Sequence, residues 1–277
     1  MELIPLEDSL SPLYRPKKSL GQNFLTSIPA RMAIVEAGMI VPTDTILEIG
    51  PGKGFLTKGL LTTGAHVVAL EKDRDLLPLL ASTFASGVAS GHLTLIEGDA
   101  LTFDPASHNL LPGAYKLIAN IPYYITGAIL SRYLSSPHQP CMMVVLVQKE
   151  VAIRACAQDG KESLLSLSIK VYGEPKVYYR VSKGSFFPIP SVDSAVLQIK
   201  NITRKNFLHQ YHEDMFFKLI HAGFAHKRKF SLSNIRAVFP DHDIRFYFTT
   251  LNLSEKIRAE DISLSDWLNI SHALLKK

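Results

Sequence analysis

The stretch TILEIGPGKGF, residues 45–55, runs from a short apolar segment into three closely spaced glycines. This pattern predicts a β-strand that ends in a tight turn, followed by a helix that begins near Phe55. The glycines let the backbone turn sharply and come close to a ligand. Their spacing matches neither the G-x-G-x-x-G dinucleotide fingerprint nor the Gly-Lys-Ser/Thr phosphate loop. The loop therefore suits a ligand without a pyrophosphate, and Glu48 beside it favours a positive charge, although an ordinary strand–helix turn would use the same residues.

Strand-like and helix-like segments alternate along the chain around this loop. The predicted strands cover residues 45–49, 66–70, 93–96, 115–119 and 142–147. The predicted helices cover residues 29–40, 55–63, 74–85 and 127–134. Such alternation is typical of an α/β domain with a mostly parallel sheet. Beyond Glu150 the pattern changes: strands at 176–181 and 195–199 predict an antiparallel hairpin at the sheet edge, and only helix-like patterns follow residue 204.

The length of 277 residues suggests about two domains. We predict an N-terminal arm over residues 1–26, an α/β domain over 27–202 and a helical domain over 203–277. With 47% apolar and 20% charged residues, the chain is neither disordered nor fibrous. Its longest apolar run, residues 141–147, is far shorter than the roughly 18 residues that a membrane span needs, so we expect no membrane partner.

Two further features bear on the compartment of the protein. The N-terminal residues include acids and three prolines and lack the pattern of a signal or transit peptide, which predicts a cytoplasmic location. Cys141 and Cys156 are expected to be buried thiols, because two cysteines cannot form a zinc cluster and a reducing compartment disfavours a disulfide.

The formal net charge of +5 is unevenly distributed. Between residues 200 and 236 eight basic residues stand against two acids, which gives +6 in this window and −1 for the rest of the chain. The basic residues are Lys200, Arg204, Lys205, Lys218, Lys227, Arg228, Lys229 and Arg236. A solvated helix face would account for such a window, but it also favours an anionic partner for the C-terminal part of the chain.

Two acidic residues follow the strands after the glycine loop. Glu71 lies 21 positions after Gly50, where a carboxylate can accept both hydroxyls of a ribose, and Asp99 can accept from an adenine amine. Each acid alone fits a solvated strand end. Together with the glycine loop they mark the carboxyl ends of successive parallel strands, where open α/β sheets bind ligands. A nucleoside with a positive, non-phosphate tail fits this set, and S-adenosylmethionine is such a molecule.

The segment Asn120-Ile121-Pro122-Tyr123 follows the fourth predicted strand. Proline restrains its own backbone and the residue before it, so the Asn120 side-chain carbonyl and the Ile121 backbone carbonyl can point at one exocyclic amine. Tyr123 can stack on the base that carries the amine. The stiff loop at residues 186–194 can present Phe186 to the other face, although a strand–helix turn and a surface loop with buried aromatics would look alike in sequence.

These motifs in this order resemble the small-subunit ribosomal RNA adenine dimethyltransferases, the kasugamycin-sensitivity family. The resemblance runs from about residue 17 to residue 236. It rests on KSLGQNFL (18–25), EIGPGKG (48–54), EKD (71–73), GDAL (98–101), NIPY (120–123) and FFPIPSVDS (186–194). It implies a class I S-adenosylmethionine-dependent methyltransferase fold, Rossmann-like with a mostly parallel seven-stranded sheet, and a small all-α C-terminal domain that docks on rRNA. It also implies transfer of two methyl groups to each of two adjacent adenosines near the 3′ end of 16S rRNA.

The resemblance assigns roles to individual positions, with no metal among them. The cofactor positions are Asn23, Leu25, Gly50, Gly52, Glu71, Asp99, Ala100 and Asn120. The positions at the target adenine are Asn120, Ile121, Pro122, Tyr123 and Phe186, with Tyr123 and Phe186 on opposite faces of the flipped base. The rRNA-binding positions are Lys227, Arg228 and Lys229. We expect the partner to be small-subunit rRNA within a partly assembled subunit, and the protein to be a monomer.

Two departures and three alternatives bear on this interpretation. Leu164-Leu165 stand where the family usually carries Tyr-Gly. Phe230 follows the basic cluster at a position where Thr is common. Both departures affect the expected RNA contacts and leave the cofactor positions unchanged. The related resistance methyltransferases of large-subunit rRNA share the cofactor motifs and a similar Asn-x-Pro-Tyr, but the arm and the Pro-x-Pro loop favour the small-subunit family. An assembly factor that acts by binding alone would keep the same surface. A small-molecule methyltransferase would leave the basic window unexplained.

Overall fold

A computed structural model describes residues 16–17, 20–226 and 228–275. Its strands are β1 (Phe24–Leu25), β2 (Thr45–Ile49), β3 (His66–Glu71), β4 (Leu93–Glu97), β5 (Tyr115–Asn120), β6 (Met142–Gln148), β7 (Glu174–Val181), β8 (Phe186–Phe187) and β9 (Ser194–Lys200). Its helices are α1 (Ile28–Ala37), α2 (Phe55–Leu61), α3 (Leu77–Thr83), α4 (Ala85–Ala89), α5 (Thr126–Leu134), α6 (Lys149–Cys156), α7 (Leu164–Lys170), α8 (Gln210–Phe224), α9 (Ser231–Val238), α10 (Ile244–Thr250) and α11 (Leu264–Ala273).

Seven of these strands form one mostly parallel sheet in the order β4-β3-β2-β5-β6-β9-β7. The first five are parallel to one another, and β9 is antiparallel to both β6 and β7. The predicted hairpin therefore adds two strands at the β6 side, with β7 at the edge. Strand β6 is buried along nearly its whole length, as expected for a strand covered on both faces by helices.

A second, two-stranded ladder joins the N-terminal arm to the Pro-rich loop. Strand β1 is antiparallel to β8, with Phe24 opposite Phe187 and Leu25 opposite Phe186. Thr26 N also donates to the Ser185 carbonyl at 2.8 Å. This ladder was not predicted, because each strand has only two residues and no periodic pattern marks it.

The predicted helix over residues 74–85 is wrong in its bounds. The structure has a turn that leads into α3, then a break at Phe84, where φ is −114° and ψ is 32°, and then α4. Phe84 packs against the glycine loop: a Cβ added to Gly54 would lie 2.3 Å from Phe84 Cε2.

The hydrophobic core occupies both faces of the sheet. One cluster lies between the sheet and helices α1 and α2. The other begins at the opposite face and continues without interruption into α8, α9 and α11, where Trp267 and Phe216 are fully buried. Tyr172 stacks on Phe217 at 6.1 Å between ring centroids, and Phe207 lies edge-on to Phe216 at 5.6 Å. The C-terminal helices thus share a core with the sheet.

The domain prediction can be compared with these bounds. Strand β9 ends at Lys200 and α8 begins at Gln210, so a boundary near residue 202 lies in the connecting segment. A separate docking role for residues 203–277 stays a prediction. Of the predicted arm, residues 1–15, 18 and 19 lie outside the described residues. Cys141 and Cys156 are free thiols as predicted, but both are half-buried and not fully buried. Within the described ranges no helix is long and apolar enough to cross a membrane.

Candidate active site

A cavity of about 310 Å³ lies at the carboxyl ends of the parallel strands. The arm, the glycine loop and the ends of β3, β4 and β5 form its walls. It is lined by eleven positions predicted to bind cofactor or target base: Asn23, Leu25, Gly50, Gly52, Glu71, Asp99, Ala100, Asn120, Ile121, Pro122 and Tyr123. Segments that are distant in sequence therefore meet in one place, as the strand order requires.

The glycine loop leaves room next to the end of β5. Gly50 has φ +68°, and a Cβ added there would meet only the Asn120 carbonyl, at 3.8 Å. Gly52 has φ +60°, and its Cβ would lie 2.9 Å from Phe24 Cε1, so the arm rests directly on this turn. A side chain at Gly50 would project into the cavity, so the glycine leaves this space free for a ligand.

Glu71 fixes the loop from the neighbouring strand. Its Oε2 accepts from Gly52 N at 3.0 Å and its Oε1 from Asp73 N at 2.8 Å. Burial raises the pKa of the Glu71 carboxyl, because a charged group is costly away from water, while these backbone donors act in the opposite direction. A carboxylate has about four lone-pair sites, so Glu71 keeps acceptor capacity for a ligand hydroxyl beside these backbone donors.

Asp99 carries a contact that the sequence did not predict. Lys72 Nζ donates to its Oδ2 at 2.8 Å, and Leu101 N donates to its Oδ1 at 2.9 Å. The hydrogen bond from Lys72 lowers the pKa of Asp99 from its usual value, so Asp99 is a carboxylate at neutral pH. Lys72 therefore lies at the same part of the rim as the predicted adenine contact.

Asn120 is oriented by the arm. Its side-chain Nδ2 donates to the Asn23 backbone carbonyl at 3.1 Å. Because the amide nitrogen is used in this way, the side-chain Oδ1 is the group with which Asn120 can accept a hydrogen bond from a ligand amine. Asn23 thus contributes its backbone carbonyl to the site, and its own Nδ2 donates to the Gly21 carbonyl at 3.3 Å.

The two predicted aromatic residues lie in different environments. Tyr123 lines the cavity, and its hydroxyl forms a 2.6 Å hydrogen bond with Ser194 Oγ. Phe186 is only 2% exposed, belongs to the core cluster beside α1, and does not line the cavity. Its neighbour Phe187 is 62% exposed, because successive side chains of a strand point to opposite faces. The structure therefore does not bring Phe186 to the cavity wall.

Glu48 does not face the ligand either. It is fully buried between β2 and α2, where Thr57 Oγ1 donates to its Oε2 at 2.7 Å. Its Oε1 has no hydrogen-bond partner among the described residues. Burial raises the pKa of Glu48 to about 8. The expectation that this carboxylate directly favours a cationic ligand is wrong, since it does not line the cavity.

The arm is attached to the site by residues that the sequence analysis missed. Lys17 Nζ donates to Asp73 Oδ1 at 2.6 Å and to Asp75 Oδ2 at 2.7 Å, and Gln22 Nε2 donates to Asp73 Oδ2 at 3.1 Å. Asp73 belongs to the EKD motif that follows β3, but its spacing from Lys17 gives no local signal of contact.

The predicted RNA-binding positions lie far along the chain from the cavity, in the loop between α8 and α9. Arg228 and Lys229 are exposed, and Lys227 lies outside the described residues. Lys229 also lines a second cavity of about 370 Å³, together with Leu164 and Leu165, which are departures from the family pattern. Arg204, counted in the basic window, instead forms an ion pair with the buried Glu213. Among the described residues no cluster of His, Cys, Asp and Glu could hold a metal ion.

The fold and the cavity together define a class I methyltransferase of the Rossmann-like type, with a helical C-terminal region. Residues 14–276 match the family model for ribosomal RNA adenine dimethylase, and the chain belongs to that family. Its methyl donor is S-adenosylmethionine, and it is an rRNA adenine dimethyltransferase.

Curated relatives and solved structures agree with this assignment. The chain is 40% identical over 264 residues to Ribosomal RNA small subunit methyltransferase A of Deinococcus radiodurans, covering 94% of this chain and 86% of the relative. It is 38% identical over 256 residues to the protein of the same name from Dehalococcoides mccartyi, covering 91% and 86%. A dimethyladenosine transferase from Plasmodium falciparum has a TM-score of 0.75 at 24% identity, covering 91% of this chain and 98% of that chain, which shows the shared fold. The 23S rRNA methyltransferase ErmE has a TM-score of 0.73 at 21% identity, covering 92% and 100%.

The cavity fits S-adenosylmethionine in its donor set. Acceptors for ribose hydroxyls and for an adenine amine are present at Glu71 and Asp99. The space beside Gly50, which a Cβ would fill, suits the methionine end.

Proposed function

We propose that this protein methylates the N6 amines of two adjacent adenosines near the 3′ end of 16S rRNA, within a partly assembled small subunit. We infer that it acts as a monomer in the cytoplasm. The observation that carries the proposal is the position of the Asn120–Tyr123 turn, which lines the same cavity as the glycine loop, Glu71 and Asp99. A target amine at this turn lies next to the methyl donor's pocket.

In this proposal the cavity residues divide between the two substrates. S-adenosylmethionine supplies an activated methyl group. Glu71 holds the ribose, Asp99 and Ala100 the adenine, and Gly50 and Gly52 the methionine end, while Asn23 and Leu25 cover the pocket. These residues bring donor and acceptor into line, and such orientation can contribute up to about 7–11 kcal/mol to lowering a barrier.

The target adenine is held by groups of the Asn120–Tyr123 turn. The Asn120 Oδ1 and the Ile121 carbonyl accept the two N–H groups of the amine, and Pro122 fixes the backbone that directs them. Tyr123 stacks on the unstacked base, which is worth roughly 1–3 kcal/mol and offsets part of the flipping cost. No strong base belongs to this turn, so the amine proton leaves to water after methyl transfer.

The proposed stacking role of Phe186 requires a change of position. Its buried position in the cluster with Leu25 means that it contacts the base only if the β1–β8 ladder shifts when RNA binds. In its present position it supports the arm instead. The position nevertheless stays part of the proposed target site, and the Phe186→Ala variant would lose activity in either case.

The small-subunit target is supported by the names of the relatives at 35–40% identity. The likeness to a 23S rRNA enzyme is of fold alone, at 21% identity. The deciding experiment incubates the protein and labelled S-adenosylmethionine with unmethylated small subunits, naked 16S rRNA and large subunits, and maps the labelled nucleotides. Label on two adjacent adenosines of the small subunit supports the proposal. Tight binding to small subunits without label transfer would instead indicate an assembly factor.

Asn120 provides the sharpest test of the site. Replacing it by Ala removes an acceptor that acts on the reacting amine, so we expect turnover to fall by about 100-fold or more. Cofactor binding, measured by calorimetry, should persist because Glu71 and Asp99 are unchanged. Asn269→Ala, an exposed position in α11, is the matched control and should methylate normally. Near-normal turnover of the Asn120 variant would contradict the assigned role.

A further inference from the structure

Asp73 connects two parts of the cavity wall that come from distant segments of the chain. It lies two residues beyond Glu71 and is only 3% exposed. On one side its backbone N–H donates to Glu71 Oε1 at 2.8 Å, and the other oxygen of Glu71 accepts from Gly52 N at 3.0 Å. The backbone of Asp73 is therefore fixed to the glycine loop through the carboxylate that we place at the ribose.

On the other side the Asp73 carboxylate holds the arm. Its Oδ1 accepts from Lys17 Nζ at 2.6 Å and its Oδ2 from Gln22 Nε2 at 3.1 Å. Gln22 Oε1 in turn accepts from the Lys17 backbone N–H at 2.7 Å. The three residues form a closed ring of hydrogen bonds, which we call the arm latch. It holds Lys17 and Gln22 of the arm against the end of β3.

The arm latch lies at the start of the part of the arm that lines the cavity, and Gln22 belongs to both. Residues 20–26 form a continuous section of the cavity wall. This section is held at its far end by the β1–β8 ladder and by Thr26, and in its middle by Asn120 Nδ2 on the Asn23 carbonyl. This section forms one side of the cavity, so moving it away would open that side to a bound ligand.

We propose that Asp73 is a positioning residue that keeps the arm closed over S-adenosylmethionine and sets the rate at which the cofactor dissociates. The proposal rests on the cofactor assigned above, but not on the RNA target. It predicts that loss of the arm latch speeds cofactor release more than it slows methyl transfer, because the Asn120–Asn23 contact and the β1–β8 ladder still hold residues 23–26 of the arm.

The chain contains a matched control, Asp75. Lys17 Nζ contacts both carboxylates at nearly the same distance, 2.6 Å and 2.7 Å, but the side chain of Asp73 is 1% exposed and that of Asp75 is 62% exposed. Hydrogen bonds to a buried charge are strong, whereas an exposed ion pair contributes little. The two variants therefore remove the same kind of contact in different environments.

The test compares Asp73→Asn with Asp75→Asn in the full-length protein. In Asp73→Asn the amide nitrogen is a donor and must face another donor, so one of the two side-chain contacts is lost together with the charge. Bound labelled S-adenosylmethionine is displaced with excess unlabelled cofactor. We expect the dissociation rate to rise by about tenfold or more in Asp73→Asn and by about twofold or less in Asp75→Asn.

Two further measurements separate this role from a loss of folding. Lys17→Met changes a side chain that is 39% exposed, so the variant should keep its thermal stability while it reproduces the faster release. Hydrogen exchange of the amides of residues 20–26 in the cofactor-free protein should also speed up in Asp73→Asn and Lys17→Met, and not in Asp75→Asn. Unchanged release in both latch variants would overturn the proposal. The proposal would also be overturned if the single-turnover methylation rate of these variants, measured at saturating cofactor, fell by the same factor as the dissociation rate rose. Absence of cofactor binding by the unmodified protein would count against the assigned pocket instead.

Discussion

Glu48 is a fully buried carboxyl between β2 and α2 with one hydrogen-bond partner, Thr57. Its pKa of about 8 lies above the value of about 4.5 that it has in an unfolded chain. The folded state therefore binds the proton more tightly, and the stability that this provides is complete below about pH 4.5 and is lost as the pH rises to about 8.

Replacing Glu48 by Gln tests this linkage. Between these pH values each unit of pH costs the parent protein up to about 1.4 kcal/mol of unfolding free energy, and the neutral amide that Glu48→Gln introduces should remove this dependence. Urea unfolding at pH 5.5 and pH 8 measures it for both proteins. Parallel pH profiles for the parent and the variant would show that Glu48 is ionised in the folded protein at both values.

Two substitutions at Tyr123 distinguish a stacking role of its ring from a catalytic role of its hydroxyl. Tyr123→Phe loses only the hydrogen bond to Ser194 Oγ, which is worth about 1 kcal/mol, so we expect a fall in methylation of about fivefold. Tyr123→Ala also loses the ring and the stacking, and its activity should fall by a further tenfold or more. Steady-state methylation of small subunits measures both. Equal losses in the two variants would assign the role to the hydroxyl and not to the ring.

At the scale of elements, close contacts at glycines determine how helices pack. In α8, a Cβ added to Gly223 would lie 2.3 Å from Cη2 of Trp267, the fully buried tryptophan of α11. The two helices can approach this closely only without a side chain at position 223. Phe84, at the break between α3 and α4, likewise packs closely on Gly54.

Gly223→Ala is therefore expected to destabilise the protein. Overpacking costs about 1–3 kcal/mol, which exceeds the gain of up to about 1 kcal/mol from replacing a helical glycine. Gly127→Ala in α5 is the control, since a Cβ there meets nothing within 4 Å, and it should be neutral or slightly stabilising. Thermal unfolding of both variants distinguishes the cases. A stabilised Gly223 variant would mean that α11 can move away without cost.

At the scale of the whole molecule, the hydrophobic core is shared by the sheet and the C-terminal helices, whereas the positive charge is concentrated in one segment. The hydrophobic cluster runs from the sheet into the C-terminal helices, so these parts are held together. The positive charge, by contrast, is concentrated in residues 200–236. Part of it contacts other residues of the protein, since Arg204 pairs with the buried Glu213 and the exposed Lys218 lies 5.0 Å from the Phe239 ring. Arg228 and Lys229, both exposed between α8 and α9, stay the predicted contacts with phosphate.

Charge reversal at Lys227, Arg228 and Lys229 tests this placement. Each lost phosphate contact lowers the slope of log K against log salt by about 0.7–0.9, so the triple variant should lose about 2–3 from the slope for small-subunit binding. Cofactor affinity should not change, because this loop does not line the cofactor cavity. An unchanged salt dependence of subunit binding would place the RNA contact elsewhere.

Patterns in the sequence were enough to predict the parallel sheet, the family and the positions around the cofactor cavity. These depend on local patterns: apolar runs specify buried strands, and the glycine loop, Glu71, Asp99 and Asn120 each follow a strand. Because parallel strands end at one edge, order along the chain was enough to bring these residues together. Only the tertiary structure decided which side chains meet across long separations. The burial of Phe186 and the ring formed by Lys17, Gln22 and Asp73 depend on how the arm folds back over the sheet, and no local spacing encodes that contact. The ion pair of Lys72 with Asp99 depends on how the side chains extend between the ends of neighbouring strands.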